Sequence, residues 1–367
     1  VTGARLAGLE MMYGSYPITP ASNLLHHLAR LKHFGVTTFQ AEDEIAAIGA
    51  AVGASFGGAI GVTGTSGPGV ALKSETIGLA IAAELPLVIV DVQRGGPSTG
   101  LPTKTEQSDL LQAVWGRNGD APLAVLAAAT PGDCFYMAIE AIRIAVKYMT
   151  PVILLTDGYV ANSSEPWPLP DMSKLTPFPV KHHKNPEGFH PFLRDDNTLA
   201  RVWAIPGTPG LEHRIGGLEK DRNTGHISYD PHNHHLMTVA REQKIARIAN
   251  DLEVAKIDQG DPEGDLLLVG WGSTYGSISQ AVRVLRERGH KVSHLHLRHI
   301  WPLPEGLRQV LHSFKSVLVP ELNNGQLVKL LRAEMDVDAE SLTRVTGQPF
   351  RIGGLIEAVS ERLQNGT

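Results

Sequence analysis

Three acids, Glu42, Asp43 and Glu44, open the stretch FQAEDEIAAIGAAVGASFGGA at residues 39–59, and an uncharged run of small and apolar residues follows them. Carboxylates at the mouth of a helix complement its macrodipole, and Glu42 and Asp43 fit an N-cap and first turn. Glu44 is different in kind, because it directly precedes IAAIGAAVG, whose small side chains let another backbone pack closely. A carboxylate held there is expected to be largely desolvated, and it then needs a protonated partner to stay charged. A heterocyclic ring nitrogen is such a partner.

Two further stretches carry reactive groups. In SYPITPAS (15–22), Pro17 and Pro20 fix the backbone and exclude α-helix for Tyr16 and Thr19. Such a turn either caps the helix NLLHHLARL through Ser22 or Thr19, or aims the Thr19 hydroxyl at a ligand. In QRGGPSTGLPTKTEQSD (93–109), Arg94 is followed by a glycine pair and then by Ser98, Thr99, Thr103 and Lys104. An arginine at the carboxyl end of a strand can clamp a small carboxylate with both arms, and a surface loop with an ion-paired arginine is the plainer reading.

Other motifs fail on spacing. GTSGPGVALKS (64–74) resembles a phosphate loop, but Val70, Ala71 and Leu72 separate Gly69 from Lys73 and carry the lysine a helical turn away. What survives is a tight turn that lets backbone approach a ligand. GWGSTYG (270–276) misplaces its third glycine, and the next strand ends HLHLRHI without an acid for a ribose. The histidines of KHHK and DPHNHH show no i, i+4 pair and no accompanying cysteines, so they read as solvated loop residues.

These groups need elements to position them. VTTFQ (36–40), AIGVTG (59–64), PLVIVDVQ (86–93), LAVLAA (123–128) and PVILLTD (151–157) read as strands, with helices near 44–57, 70–83, 107–117 and 132–148. That alternation implies α/β architecture with a parallel sheet, whose sites form at the carboxyl ends of the strands. Gln40, Thr65, Ser66 and Arg94 then share one edge. Residues 166–262 read as an irregular linker with a few short strands, wrapping a partner or another domain and ending in a helix near 236–256. Residues 263–367 return to β-α-β: strands DLLLVGWG, HKVSHLHL and KSVLVPE alternate with helices YGSISQAVRVLRERG, PLPEGLRQVLHSF and GQLVKLLRAEM. The expected domains are 1–165, the 166–262 linker and 263–367.

Composition bounds the function. The 367 residues are 42% hydrophobic and 19% charged, with a net charge of −5, which leaves no basic footprint for nucleic acid. Residues 45–72 are uncharged, but their eight glycines and Pro68 are unlike a membrane-spanning helix. One cysteine, Cys134, excludes an internal disulfide framework and suits a reducing cytoplasm. It also means that this chain alone cannot hold an iron–sulfur cluster. The start VTGARLAGLE, without methionine, reads as a piece of a longer protein.

YPITPAS, AEDEIAAIGAAVGAS, GTSGPG and QRGGPSTGLPTKTEQSDL, in this order, resemble the α subunit of 2-oxoacid:ferredoxin oxidoreductases, most closely those acting on 2-oxoglutarate. The likeness continues through PGLEHRIGGLEKDRNTGHISYDP and LLLVGWGST…PLPE…VLVPELNNGQL, and so covers essentially the whole chain. It implies a pyrimidine-binding domain of the thiamine diphosphate superfamily, followed by a domain like the transketolase C-terminal one. It implies a β subunit that holds the diphosphate, Mg²⁺ and a [4Fe-4S] cluster, an (αβ)₂ assembly, coenzyme A as acyl acceptor and ferredoxin as electron acceptor. A γ domain fused upstream, as in some relatives, would explain the abrupt start.

By position, the resemblance makes Glu44 the acid that contacts the aminopyrimidine ring. Ala47 and Gly53 keep the superfamily spacing from it, which Glu42 would misplace. It sets Thr19 beside cofactor and substrate, Arg94 and Thr103 at the substrate carboxylate, and Ser66 and Gly67 near the pyrimidine. Lys104 or a β-subunit residue would meet the distal carboxylate of 2-oxoglutarate. The competing readings are a pyruvate or branched 2-oxoacid enzyme of the same family, another thiamine enzyme (transketolase-like or E1 β-like), and a non-catalytic scaffold that completes a partner's site.

Overall fold

The computed structural model describes residues 1–365. In chain order the first half runs α1 (Thr2–Ala7), β1 (Met11–Ser15), α2 (Ser22–Leu28), β2 (Val36–Gln40), α3 (Glu44–Phe56), β3 (Ile60–Thr65), α4 (Gly67–Ala82), β4 (Leu87–Gln93), α5 (Leu110–Trp115), β5 (Ala124–Ala127), α6 (Asp133–Tyr148), β6 (Pro151–Asp157) and α7 (Gly158–Asn162). After an irregular stretch come α8 (Pro231–Ala246), β7 (Gly264–Trp271), α9 (Tyr275–Glu287), β8 (Val292–Leu297), β9 (His299–Trp301), α10 (Leu307–His312), β10 (Phe314–Glu321), α11 (Gln326–Met335), β11 (Ala339–Thr343) and α12 (Ile352–Asn365).

The strands form a seven-stranded sheet in the order β2-β1-β3-β4-β6-β5-β9 and a four-stranded sheet in the order β11-β10-β7-β8. All pairings are parallel except that of β9, which runs antiparallel to β5 and brings three residues of the second half into the first sheet. β4 and β6 are buried almost throughout, as expected of inner strands covered on both faces. One apolar cluster joins Ile48, Ile77 and Leu110 of the first half to Leu267, Trp271, Val319 and Leu330 of the second. The two sheets therefore share a core, and α9 with α12 covers the far face of the smaller one.

Several elements differ from the sequence reading. β1 lies in the interior of the large sheet although its sequence, MMYGS, carries no β-branched residue. β9, β11 and α12 were also not anticipated. α4 begins at Gly67 rather than near 70, because Pro68 fits a first helical turn where no N–H is needed. α8 begins at Pro231, its N-terminus capped by Asp230, whose carboxylate accepts from the Asn233 N–H at 2.7 Å. His232, His234 and His235 of DPHNHH thus stand on the first turns of a helix, not in a loop.

The stretch 166–230 forms isolated bridges and one 3-10 turn in place of the expected short strands. It packs on this chain's own helices α3 and α4. Trp203 donates to the Ser55 carbonyl at 3.1 Å, and Arg201 Nε donates to the carbonyls of Ala83 and Glu84 at 3.0 Å. Buried Glu84 accepts from Arg194 Nη1 at 2.8 Å and from Lys244 Nζ at 2.7 Å. These contacts lie at the trailing ends of α3 and α4, so the opposite edge of the sheet stays free for chemistry.

Candidate functional site

Ser15, Gln40, Thr65, Gln93 and Asp157 close the carboxyl ends of five neighbouring strands, and α3 and α4 start from that edge. Asp43 caps α3, its carboxylate accepting from the Ala46 N–H at 2.8 Å, so the helix proper begins at Glu44. Glu42 lies outside it and is exposed. The small residues let α3 sit directly on the sheet. A Cβ on Gly14 or Gly61 would overlap the carbonyl oxygen of Ala47 or Ala51 respectively. Glu44 is half-buried, less than the expected desolvation, and the space beside Gly49 and Gly53 on the outer side of α3 is open.

Beneath Glu44 lies a compact cradle. Tyr16 is buried and its hydroxyl is hydrogen-bonded to Thr65 Oγ1 at 2.9 Å. Burial first, and the nearby Glu44 carboxylate with it, push that phenol well above its usual range. A Cβ on Gly69 would overlap both the Tyr16 hydroxyl and Thr65 Oγ1 and would lie 3.3 Å from Glu44 Cγ. Lys73 reaches up from α4 and donates to the Glu44 carbonyl oxygen at 2.7 Å. Ser66, at the N-cap of α4, is fully buried, and its Oγ has no hydrogen-bond partner among the described residues. Gly67 packs so closely on the Asp109 carboxylate that a Cβ would overlap it.

Arg94 is buried, and its Nη1 donates to the Thr19 carbonyl oxygen at 2.7 Å. Two candidates 75 residues apart are thereby joined. Thr19 itself is exposed at the tip of its turn. It caps no helix, and neither does Ser22, which closes the turn instead: its Oγ accepts from the Ile18 N–H at 2.8 Å and donates to the Ile18 carbonyl at 3.0 Å. Thr103 and Lys104 are exposed, and no side-chain hydrogen bond ties either to Arg94 among the described residues. The Lys104 side chain lies against Gly347, while its carbonyl oxygen accepts from the Gly95 N–H at 3.0 Å and closes the loop.

The loop is held from the far side. Gln107 Nε2 donates to the Trp271 carbonyl at 2.8 Å, its Oε1 accepts from the Leu322 N–H at 3.0 Å, and Gln326 Nε2 donates to the Ser108 carbonyl at 2.8 Å. The second half of the chain thus fixes the segment that carries Arg94. Below it, burial and the facing Asp109 carboxyl raise Asp91 well above the usual carboxylate range, and burial pushes Asp109 up to about 6. Two carboxyls facing each other in a buried place resist being ionised together.

Sequence reasoning missed Lys73, Tyr16 and this acid pair. Lys73 had one visible signal, as the first charge after the uncharged run 45–72. Asp91 had one too, as an acid inside the apolar strand PLVIVDVQ, and Tyr16 gave none. Among the described residues no cluster of His, Cys, Asp and Glu could hold a metal, and no helix is long and apolar enough to cross a membrane.

Residues 2–229 match the family described as pyruvate flavodoxin/ferredoxin oxidoreductase, thiamine diphosphate-binding, and residues 264–354 match pyruvate:ferredoxin oxidoreductase core domain II. The 2-oxoglutarate oxidoreductase subunit KorA of Mycobacterium tuberculosis is 56% identical over 98% of this chain and 55% of its own length. The 2-oxoglutarate synthase subunit KorA of Archaeoglobus fulgidus is 36% identical over 97% and 93%. Among solved structures, 2-oxoglutarate:ferredoxin oxidoreductase from Magnetococcus marinus, with 2-oxoglutarate, coenzyme A and succinyl-CoA bound, superposes with a TM-score of 0.93 at 38% identity. That match covers 98% of this chain and 63% of the other. A split-gene transketolase matches with a TM-score of 0.53 at 13% identity over 99% and 96%, a likeness of fold alone. This chain spans about half the length of the M. tuberculosis relative.

Proposed function

This chain belongs to the thiamine diphosphate-binding pyruvate flavodoxin/ferredoxin oxidoreductase family, and from that premise we propose that it is the α subunit of a 2-oxoglutarate:ferredoxin oxidoreductase. It converts 2-oxoglutarate and coenzyme A to the acyl-CoA and CO₂, passing two electrons to ferredoxin, and it acts only with a β subunit. The observation that carries this reading is Glu44. Its carboxylate stands at the start of α3 on the carboxyl edge of the sheet, above Tyr16, Thr65 and Gly69.

The residues fit the pyrimidine end of thiamine diphosphate. A half-buried carboxylate and an unpartnered buried Ser66 hydroxyl are groups that a flat, hydrogen-bonding ring can satisfy. When bound, thiamine diphosphate supplies the carbanion-stabilising chemistry that decarboxylation of a 2-oxoacid requires. Glu44 accepts a hydrogen bond from the protonated ring nitrogen and holds that proton in place. Ser66 and Gly67 border the ring. Arg94 offers its guanidinium to the substrate carboxylate and steadies the Thr19 turn, and Thr103 and Lys104 close over the substrate from the loop.

The missing parts belong to partners. The β subunit holds the diphosphate, Mg²⁺ and the [4Fe-4S] cluster, consistent with a chain that has a single cysteine. It covers the open side of α3 in an (αβ)₂ assembly, and a γ domain precedes this segment. The domains divide at 165 and 262, and the enzyme works in the cytoplasm.

The test is reconstitution with the β subunit. Glu44→Ala should abolish CoA-dependent ferredoxin reduction while the complex still assembles. Near-wild-type turnover in that variant would remove Glu44 from the mechanism. Relative rates with 2-oxoglutarate, pyruvate and branched 2-oxoacids fix the substrate, and a preference for pyruvate would overturn the assignment to 2-oxoglutarate.

A further inference from the structure

Lys73 is fully buried in the second turn of α4. Its ammonium donates to the Glu44 carbonyl oxygen at 2.7 Å and stands 4.8 Å above the Tyr16 ring. Both circumstances are unfavourable for an ordinary structural lysine. A buried cation is costly unless it is paired, and the N-terminus of a helix is the end of the macrodipole that repels cations. What offsets these costs is the pair of carboxylates at the start of α3, Glu44 and Asp43, both of which favour the charged ammonium. The charged or titratable groups that face Lys73 are these two acids from α3 and the Tyr16 phenol from the turn after β1.

We infer that Lys73 is a positioning residue whose ammonium ties the first turn of α3 to α4 and sets the height of the Glu44 carboxylate toward the pyrimidine ring. The inference rests on the reading of Glu44 given above. The ammonium holds the Glu44 backbone carbonyl, and so fixes where the side chain of that residue leaves the helix. Removing one methylene-borne charge, with no contact to the cofactor, would weaken that grip. Burial lowers Lys73 to about 8, so its charge is present at neutral pH and is lost as pH rises through that value.

The experiment measures thiamine diphosphate affinity in the α–β complex stripped of cofactor, by calorimetry between pH 6.5 and about 9.5, a span chosen to bracket the Lys73 titration. The wild type should lose affinity about tenfold across the alkaline half of that range. Lys73→Met should bind about tenfold more weakly at neutral pH and show no alkaline fall. Lys73→Arg, which keeps its charge throughout, should bind tightly at neutral pH and also lose the alkaline fall. Wild-type affinity together with an unchanged alkaline fall in Lys73→Met overturns the inference. Should that variant not assemble, Lys73→Arg decides alone, and an alkaline fall that persists in it overturns the inference equally. Glu44→Gln is the control: if it binds cofactor as tightly as the wild type, the reading of Glu44 fails, whatever Lys73 does.

Discussion

The guanidinium of Arg94 donates to the carbonyl oxygen of Thr19 at 2.7 Å, so the loop after β4 holds the turn after β1. The bond leaves Arg94 Nε without a partner among the described residues, although the side chain is buried. A buried guanidinium with spare donors seeks an acceptor, and a substrate carboxylate supplies one. Arg94→Gln should lower kcat/KM by about 10- to 150-fold, corresponding to the 1.5–3 kcal/mol of a hydrogen bond to a charged group. Steady-state kinetics of the reconstituted complex check this. A change under about threefold, less than 1 kcal/mol, would separate Arg94 from the substrate.

The open side of α3 yields a second prediction, about assembly. Nothing lies within 4 Å of a Cβ placed on Gly53, so Gly53→Ala should stabilise the isolated chain by about 0.5–1 kcal/mol. Gly53→Leu should leave the α chain folded yet prevent the β subunit from seating. Thermal melting and size-exclusion chromatography with the β subunit distinguish the two effects. An intact complex with Gly53→Leu would move the interface elsewhere.

Glu84 is the keystone of the irregular segment. Fully buried, it is held down to about 2 by Lys244 and Arg194, which overcome the opposing effect of burial. Glu84→Gln leaves Lys244 buried without its counter-charge and should cost about 3–5 kcal/mol, read as a lowered Tm. Because Glu84 lies at the trailing end of α4, catalysis per folded molecule should be unchanged below the new Tm.

Acid stability follows from the buried histidines of β8. Burial lowers His294 from its ordinary 6.5 to about 3, and burial together with neighbouring His294 lowers His296 well below its usual value. A histidine depressed in the folded state is protonated first in the unfolded chain. Stability is therefore intact above pH 6.5 and drains away as pH falls toward 3. The Asp91–Asp109 pair acts in the opposite sense, since raised carboxyls favour the folded state as pH falls through about 6. His294→Gln cannot take up a proton, so its Tm should decline less between pH 6.5 and about 4 than the wild type's. Parallel Tm curves would show that His294 is not part of the acid limb.

Strands that announce themselves by continuous β-branched and leucine runs were legible in the sequence, with β2 and β6 found at their observed limits. β1 was not, because its buried status comes from its two neighbours and not from its own residues. β9 escaped for a similar reason: three residues form a strand only where β5 offers a free edge. The start of α3 at Glu44 was legible from the acids before a run of small residues, but the degree of burial of Glu44 was not. Arg94 and Thr19 were each singled out separately, and their hydrogen bond is a long-range contact that no local pattern encodes. Lys73 stood out as the first charge after an uncharged run and as a misplaced phosphate-loop lysine, and that same displacement of one turn carries its amine to Glu44.

β9 comes from the second half of the chain and terminates the sheet of the first at β5. Expression of the first half as a separate product would leave β5 with bare amide and carbonyl groups along its margin, an invitation to filament formation or precipitation. Any natural fission or domain exchange just before β7 would have to preserve the match between His299–Trp301 and Val125–Leu126, or supply another strand to seal that margin.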